Sequence, residues 1–135
     1  MIVSSAVLTK VCGRLATTAE NKTWFRAVEP QFWKAALGTS HTRTATSRFS
    51  AGSATRPLFE TLYLAENPLV SLLEVQAIFG DPTTPGSIVP HPQKAFIVLN
   101  VEIRLSRVAD LTSVSTQRAL HTTAQELTGD WVGYG

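Results

Sequence analysis

The chain has 135 residues and a formal net charge of +2, with 44% hydrophobic and 16% charged residues. This length allows one domain with a single core, and this composition is typical of globular proteins and excludes a disordered chain. The positive charge is too small and too scattered to indicate direct nucleic-acid binding, although it suits an anionic ligand.

Cysteine content and hydropathy exclude further classes of protein. Cys12 is the only cysteine, which excludes an internal disulfide framework and fits a reducing compartment. No apolar run approaches the roughly 18 residues of a membrane span, and the charges near the N-terminus follow the apolar stretch, unlike those of a signal peptide. We therefore expect a cytoplasmic protein without a membrane partner, in which residues 1–22 form an N-terminal arm or short helix and residues 23–135 form the domain.

Residues 23–28 are rich in strand-forming side chains and are followed by Pro30, which predicts a strand from which Arg26 projects. Residues 31–37 predict a short helix or turn.

Residues 38–53 are dominated by Ser, Thr, Ala and Gly, which predicts a long loop carrying His41, Arg43 and Arg48. Loops of this length in small domains are usually functional or disordered. The simplest interpretation of His41 and Arg43 is that both are solvated.

Residues 59–65 predict the next strand, with Tyr63 on it, and a helix follows. Asn67 is a good N-cap, Pro68 suits the first helical position, and Gly80 is a natural C-terminal stop.

Glu74 lies in the middle of this predicted helix, which is apolar on nearly every side. Such a helix is normally buried, and a buried carboxylate needs a partner or a shifted pKa. The helix offers no cation at helical spacing, so we expect Glu74 to belong to a site that the folded chain or a ligand completes. A structural ion pair with Arg48, or partial exposure, explains the pattern equally well.

Residues 81–92 hold four prolines and predict an exposed connection. Residues 95–105 give the clearest strand, with Leu99, Val101, Ile103 and Leu105 on one face. A last helix is expected from residue 112 or 113 towards residue 127, ended by Gly129. Trp131 and Tyr134 look like the start of further structure, so we expect the chain to be truncated at its C-terminus.

Common site motifs do not occur. The histidines at 41, 91 and 121 and Cys12 show no metal-ligand spacing, and no dinucleotide, Walker or Gly-x-Ser-x-Gly fingerprint is found. We therefore expect no metal and no tightly bound cofactor.

The remaining constellation is a set of Arg26, Arg48, Tyr63 and Glu74. Arginine is a natural ligand for phosphate, tyrosine offers a stacking face, and a carboxylate can stabilise an oxocarbenium ion. The set suits a nucleotide diphosphate and cleavage of a glycosidic bond. By spacing alone the pattern is weak, because Tyr63 also fits an ordinary core position.

Four blocks of the chain strengthen this interpretation. They are Trp-Phe-Arg-Ala-Val (24–28), Ser-Arg-Phe-Ser (47–50), Leu-Tyr-Leu-Ala (62–65) and Leu-Leu-Glu-Val (72–75). Together with residues 96–104, 109–112 and 127–131, they resemble the RES domain family, which includes toxins of bacterial toxin–antitoxin systems. The resemblance covers residues 23–135.

The resemblance implies an α+β fold with a mixed, mainly antiparallel sheet and flanking helices, similar to ADP-ribosyltransferases. It also implies degradation of NAD by cleavage of the bond between nicotinamide and ribose, with inorganic phosphate or water as acceptor. Arg48, Tyr63 and Glu74 would be catalytic, and Arg26, Arg48 and Tyr63 would bind the substrate. The implied partner is a cognate DNA-binding antitoxin, and a homodimer is left open.

The chain departs from the family in two respects. The spacing from Arg48 to Tyr63 includes an extended Ala/Gly/Ser/Thr/Pro linker, which is tolerable because insertions in surface loops cost little free energy. The family's serine lies beyond the Asp-Trp block at which this chain ends, so no serine is assigned. Two alternatives follow: an ADP-ribosyltransferase that modifies a macromolecule, or a catalytically inactive, truncated module that binds the antitoxin.

Overall fold

The computed structural model describes residues 5–47, 49–51 and 60–129. The fold is mixed α and β, with short helices and three two-stranded sheets among these residues. The chain forms two compact units, one from Met1–Asn21 with Arg104–Gly135 and one from Lys22–Ile103. No helix in the described ranges is long and apolar enough to cross a membrane.

The two long strands are β1 (Thr18–Val28) and β6 (Ile97–Val108), and they pair with each other. The predicted strands at 23–28 and 95–105 are confirmed: β1 begins five residues earlier than predicted, and β6 begins two residues later and ends three residues later than predicted. Val101 is buried while Glu102 and Arg104 are exposed, as the alternation of side chains along a strand requires. Leu105 is an exception, because it is exposed.

The segment after β1 is helical only in short 3₁₀ turns. Pro30 opens η1 (Pro30–Ala35), since its fixed φ suits a first helical position, and η2 (Ser40–Arg43) follows. The predicted loop then contains two minimal strands, β2 (Thr46–Ser47) and β3 (Ser50–Ala51), which pair antiparallel. The helix α1 (Ser5–Cys12) lies in the predicted N-terminal arm.

The helix α2 (Pro68–Glu74) begins where the sequence predicts and ends six residues earlier than Gly80. The Asn67 side chain accepts a hydrogen bond from the Val70 N–H at 2.9 Å, which confirms the N-cap. At the other end, the N–H groups of Gln76 and Ala77 donate to the carbonyls of Leu73 and Leu72. With Gln76 at φ +58°, this is a Schellman motif, which ends the helix without a glycine.

Residues 78–90 form a hairpin from β4 (Ile78–Phe79) and β5 (Val89–Pro90). Its loop is closed by Asp81, whose side chain accepts hydrogen bonds from Thr83 and Thr84. His91 follows the hairpin, and its ring lies 5.9 Å from the Phe79 ring and 6.4 Å from the Phe96 ring, centroid to centroid.

The prediction of one C-terminal helix is wrong, because the segment forms α3 (Val114–Ala119) and α4 (Ala124–Thr128). A Schellman motif around His121, at φ +55°, ends α3. Thr123 and Glu126 then form a capping box that starts α4.

The core consists of small side chains. The buried apolar residues are Ala27, Ala36, Ala65, Ala77 and Val101. No large side chain in the described part of the chain is fully buried. The predicted strand at 59–65 is also not formed over residues 60–64. Only Ala65 pairs, in an antiparallel bridge with Phe25.

Candidate functional site

A cleft of about 520 Å³ opens beside the end of β1, within the unit Lys22–Ile103. Its apolar part includes Ala27, Ala36, Phe32 and Phe96. Pockets for small molecules typically measure about 300–1,000 Å³ and are mostly apolar with a few polar groups. The cleft is therefore large enough for a ligand with an aromatic ring.

The local sequence keeps this cleft open. Ala27 of β1 and Ala36 after η1 are each 4% exposed, and their methyl groups leave the space above them unfilled. A Cβ at Gly38 would lie 3.2 Å from the Ala35 carbonyl oxygen, so the tight turn there also requires a small residue. Larger side chains at these positions would occupy the cleft or move its wall.

Four charged or titratable side chains line the cleft: Arg26, Glu29, His41 and Lys94. The Lys94 ammonium contacts the Glu29 carboxylate at 3.2 Å, and the Gln31 amide donates to the same carboxylate at 3.4 Å. Glu29 is thus compensated by its neighbours. The lining carries more groups that attract anions than groups that repel them.

Arg26 projects from β1, as predicted, and its guanidinium is only partly satisfied. Its Nη1 donates to the Tyr63 carbonyl oxygen at 2.8 Å. Its Nε is buried and has no hydrogen-bond acceptor among the described residues. A buried donor without an acceptor costs free energy, and such groups in native proteins usually have a reason. An anionic ligand in the cleft would supply that acceptor.

Tyr63 lies next to Arg26 because Ala65, two residues later, pairs with Phe25 of β1. Phe25 and Ala65 exchange backbone hydrogen bonds of 2.9 and 2.8 Å, which fixes the register of the two segments. The residue Tyr63 is 42% exposed, and its ring centroid lies 6.4 Å from that of Phe49. Tyr63 contributes its backbone carbonyl to Arg26 and is not one of the residues that line the cleft.

The expectation that Glu74 is buried is wrong, because its side chain is exposed. The Schellman motif places Glu74 in the last turn of α2 instead of in the middle of a longer helix. Ser71 is the one described residue of α2 that is buried. Val75, which directly follows Glu74, lines the cleft, whereas Glu74 itself is not one of the lining residues.

The fourth predicted site residue, Arg48, lies outside the described residues. The loop before it is described: residues 38–44, here called the His41 loop, contribute Gly38, Ser40 and His41 to the cleft lining.

The His41 loop is attached to Glu60. The Thr39 hydroxyl donates to one oxygen of the Glu60 carboxylate, and the Arg43 Nε contacts the other at 2.7 Å. The hydrogen bond from the Thr39 hydroxyl is the largest cause of a pKa of Glu60 below its ordinary value; the Arg43 guanidinium lowers it further, and desolvation opposes both. The carboxylate form is therefore favoured where it holds the loop.

Sequence reasoning missed most of the cleft. Glu29, Phe32, Lys94 and Phe96 line it, and His41 was interpreted as merely solvated. Glu29 and Lys94 are far apart in sequence and meet because the end of β1 lies beside the start of β6. No spacing in the sequence indicates this contact.

Among the residues that the structure describes, no cluster of three or more His, Cys, Asp or Glu side chains could hold a metal ion.

Comparison with known proteins gives no match to any family model, curated protein or solved structure.

Proposed function

We propose that this chain is a RES-family protein that degrades NAD by cleaving the bond between nicotinamide and ribose. The acceptor of the ribosyl group is inorganic phosphate or water. The proposal joins the four residue blocks that resemble the family to the cleft beside β1.

The observation that carries the proposal is Arg26, a residue of the cleft lining whose buried Nε lacks an acceptor among the described residues. Arginine binds phosphate oxygens through several donors at once, which suits the pyrophosphate of NAD. Phe32 and Phe96 in the same lining offer aromatic surface for a flat ring. An anionic group and an aromatic ring in one molecule match a nucleotide.

The proposed fold is similar to that of ADP-ribosyltransferases. Support comes from the long paired strands β1 and β6 and from the antiparallel bridge that brings Ala65 beside Phe25. This arrangement places the Arg26 and Tyr63 blocks in adjacent segments, which a shared substrate site requires.

In the proposed reaction, the bond between the ribose anomeric carbon and the nicotinamide nitrogen breaks, and its electron pair leaves with nicotinamide. An oxygen of phosphate or water forms the new bond to that carbon and gives up its proton. Arg26 and Arg48 hold the pyrophosphate, and Tyr63 packs against the nicotinamide. The Tyr63 carbonyl also fixes the Arg26 guanidinium.

Glu74 remains the proposed carboxylate that orients the ribose and stabilises positive charge at the anomeric carbon. Its exposed position changes how it works. A bound ligand, and not the protein core, must exclude water from it, which is consistent with its place next to the cleft-lining Val75.

The remaining parts of the proposal come from the family. The protein would act in the cytoplasm, where NAD is abundant, and a cognate DNA-binding antitoxin would block the site.

The test incubates the purified full chain with NAD labelled in the ADP-ribose part and follows free nicotinamide and the labelled product. We expect Arg26→Lys to lower turnover about tenfold to a hundredfold, because it loses the Nε donor and one Nη while keeping the charge. Glu74→Gln should abolish turnover. Arg107→Lys, at an exposed position on β6, is the matched control and should leave turnover unchanged.

Other outcomes would select other functions. Label transferred to a macromolecule would indicate an ADP-ribosyltransferase. Retained antitoxin binding without any release of nicotinamide would indicate an inactive binding module. Turnover that is equal in Arg26→Lys and Arg107→Lys would contradict the role given to the cleft.

A further inference from the structure

Residues 60–65 contact two parts of the chain that line the cleft. At one end, Ala65 pairs with Phe25, and the Tyr63 carbonyl accepts a hydrogen bond from Arg26. At the other end, the Glu60 carboxylate contacts Thr39 and Arg43 of the His41 loop. One short segment therefore contacts both Arg26 and the His41 loop.

The attachment of the His41 loop uses the backbone as well as the carboxylate. The Thr61 N–H donates to the Thr42 hydroxyl oxygen at 3.0 Å, and that hydroxyl donates to the Thr39 carbonyl. Ser40 and His41, which line the cleft, lie between the attachment points Thr39 and Arg43.

Apolar packing contributes little to this loop. No residue of η2 is buried, and its neighbour Thr39 is only half-buried. Hydrogen bonds to a charged group are stronger than hydrogen bonds between neutral groups, so the Glu60 carboxylate is expected to make the strongest of the described attachments of the loop. Its side chain is 33% exposed, which leaves the contact partly shielded from water.

We propose that Glu60 is a positioning residue that holds the His41 loop in place as a wall of the cleft and thereby sets the affinity of the cleft for its ligand. The identity of that ligand, NAD, rests on the proposed function. The attachment of the loop does not.

The experiment compares the wild-type chain with Glu60→Ala by two measurements. Amide hydrogen exchange at Thr42 and Thr61 reports the loop without any ligand, and calorimetry reports the Kd for NAD. We expect exchange at both amides to become about tenfold faster and the Kd to rise by about tenfold, because a loop with more conformations must be ordered again on binding.

The matched control is Glu66→Ala. It removes an exposed ion pair outside the His41 loop, in which the Lys22 ammonium lies 3.5 Å from the Glu66 carboxylate. It should change neither the exchange at Thr42 and Thr61 nor the Kd. A charge-reversed pair provides the rescue: Glu60→Arg and Arg43→Glu should each loosen the loop, and the double variant should restore both measurements. If Glu60→Ala fails to fold, Thr39→Val, which removes one of the two contacts, replaces it.

Each result decides the proposal. Unchanged amide exchange in Glu60→Ala would overturn it. Faster exchange with an unchanged Kd would overturn the link between the loop and the cleft. A wild-type chain that does not bind NAD would instead contradict the proposed function, and the exchange and rescue measurements would then decide the role of Glu60.

Discussion

Gly80 shows how a single residue constrains the β4–β5 hairpin. Its φ of +118° is one that other residues rarely adopt, and a Cβ added there would lie 2.2 Å from the Ser87 carbonyl oxygen. Ser87 is itself held, since its hydroxyl donates to the Asp81 carbonyl at 2.6 Å. The Ser87 carbonyl, which an added Cβ at Gly80 would meet, is therefore fixed and cannot move aside.

We expect Gly80→Ala to lower the free energy of unfolding by about 2–4 kcal/mol, because it adds a backbone clash to an unfavourable φ. The matched control is Gly86→Ala in the same loop. Gly86 has φ +76° but no atom within 4 Å of an added Cβ, so only the backbone cost of about 1 kcal/mol applies. Urea denaturation measures both. Equal losses would show that the contact with Ser87 is unimportant.

At the level of single residues, the sequence predicted the element on which a side chain lies better than it predicted the contacts and burial of that side chain. Arg26 was expected to project from a strand, and it does, but its contact is with the backbone carbonyl of Tyr63, which no side-chain pattern indicates. Glu74 was expected to be buried because its helix was expected to continue. An early helix end exposes it. Local helix propensity does not show at which residue a helix ends when the apolar pattern continues beyond that residue.

At the level of elements, helix starts were predictable and helix ends were not. Asn67 and Pro68 mark the start of α2 in the sequence and in the structure. Both α2 and α3 end with a non-glycine residue, Gln76 or His121, at positive φ. Because glycine is the usual signal for such an end, the sequence predicted helices that were too long.

The start of α4 allows a direct test of capping. The Thr123 hydroxyl accepts a hydrogen bond from the Glu126 N–H at 3.2 Å and completes a capping box. No residue of α4 is buried, so packing stabilises this helix little. We expect Thr123→Ala to lower the free energy of unfolding by about 1 kcal/mol.

The control is Ser113→Ala at the N-cap of α3, where the serine side chain makes no capping hydrogen bond. This substitution should change the free energy of unfolding by less than about 0.5 kcal/mol. Thermal unfolding followed by circular dichroism compares the two variants. A larger loss in Ser113→Ala than in Thr123→Ala would contradict the assignment of the cap.

At the level of the whole molecule, three carboxyl groups make stability depend on pH. A threonine hydroxyl donates to each carboxylate and is the largest cause of a lowered pKa, at Glu60, Asp81 and Asp110. A lowered pKa in the folded state means that the unfolded chain binds protons more readily. The stabilisation is complete above the ordinary carboxyl pKa values and is lost as the pH falls through the lower folded values.

We therefore expect these three groups to leave the Tm unchanged between about pH 7 and pH 6. At pH values below about 4, their protonation should lower the Tm. Asp81→Asn should reduce this acid-dependent fall, because it removes one of the three titrating groups. Glu102→Gln, at an exposed position on β6, is the control and should leave the fall unchanged. A Tm that rises on acidification would contradict the directions of the pKa shifts.

The largest part of the fold that could be predicted was the pair of long strands, because side-chain alternation reports burial on one face. The residues that meet in the cleft could not be predicted. Glu29 and Lys94 come together only through the pairing of β1 with β6, and a sequence pattern does not state which strands pair.

The pairing of β1 with β6 also has a consequence for biosynthesis. Residues 29–96 separate the end of β1 from the start of β6, so β1 leaves the ribosome long before its partner exists. At roughly 5–20 residues per second, the delay is on the order of ten seconds, during which the unpaired strand must avoid association with other nascent chains. Lys22, Arg26 and Glu20 on β1 supply charges that oppose such association, so they protect the strand before they serve the finished protein.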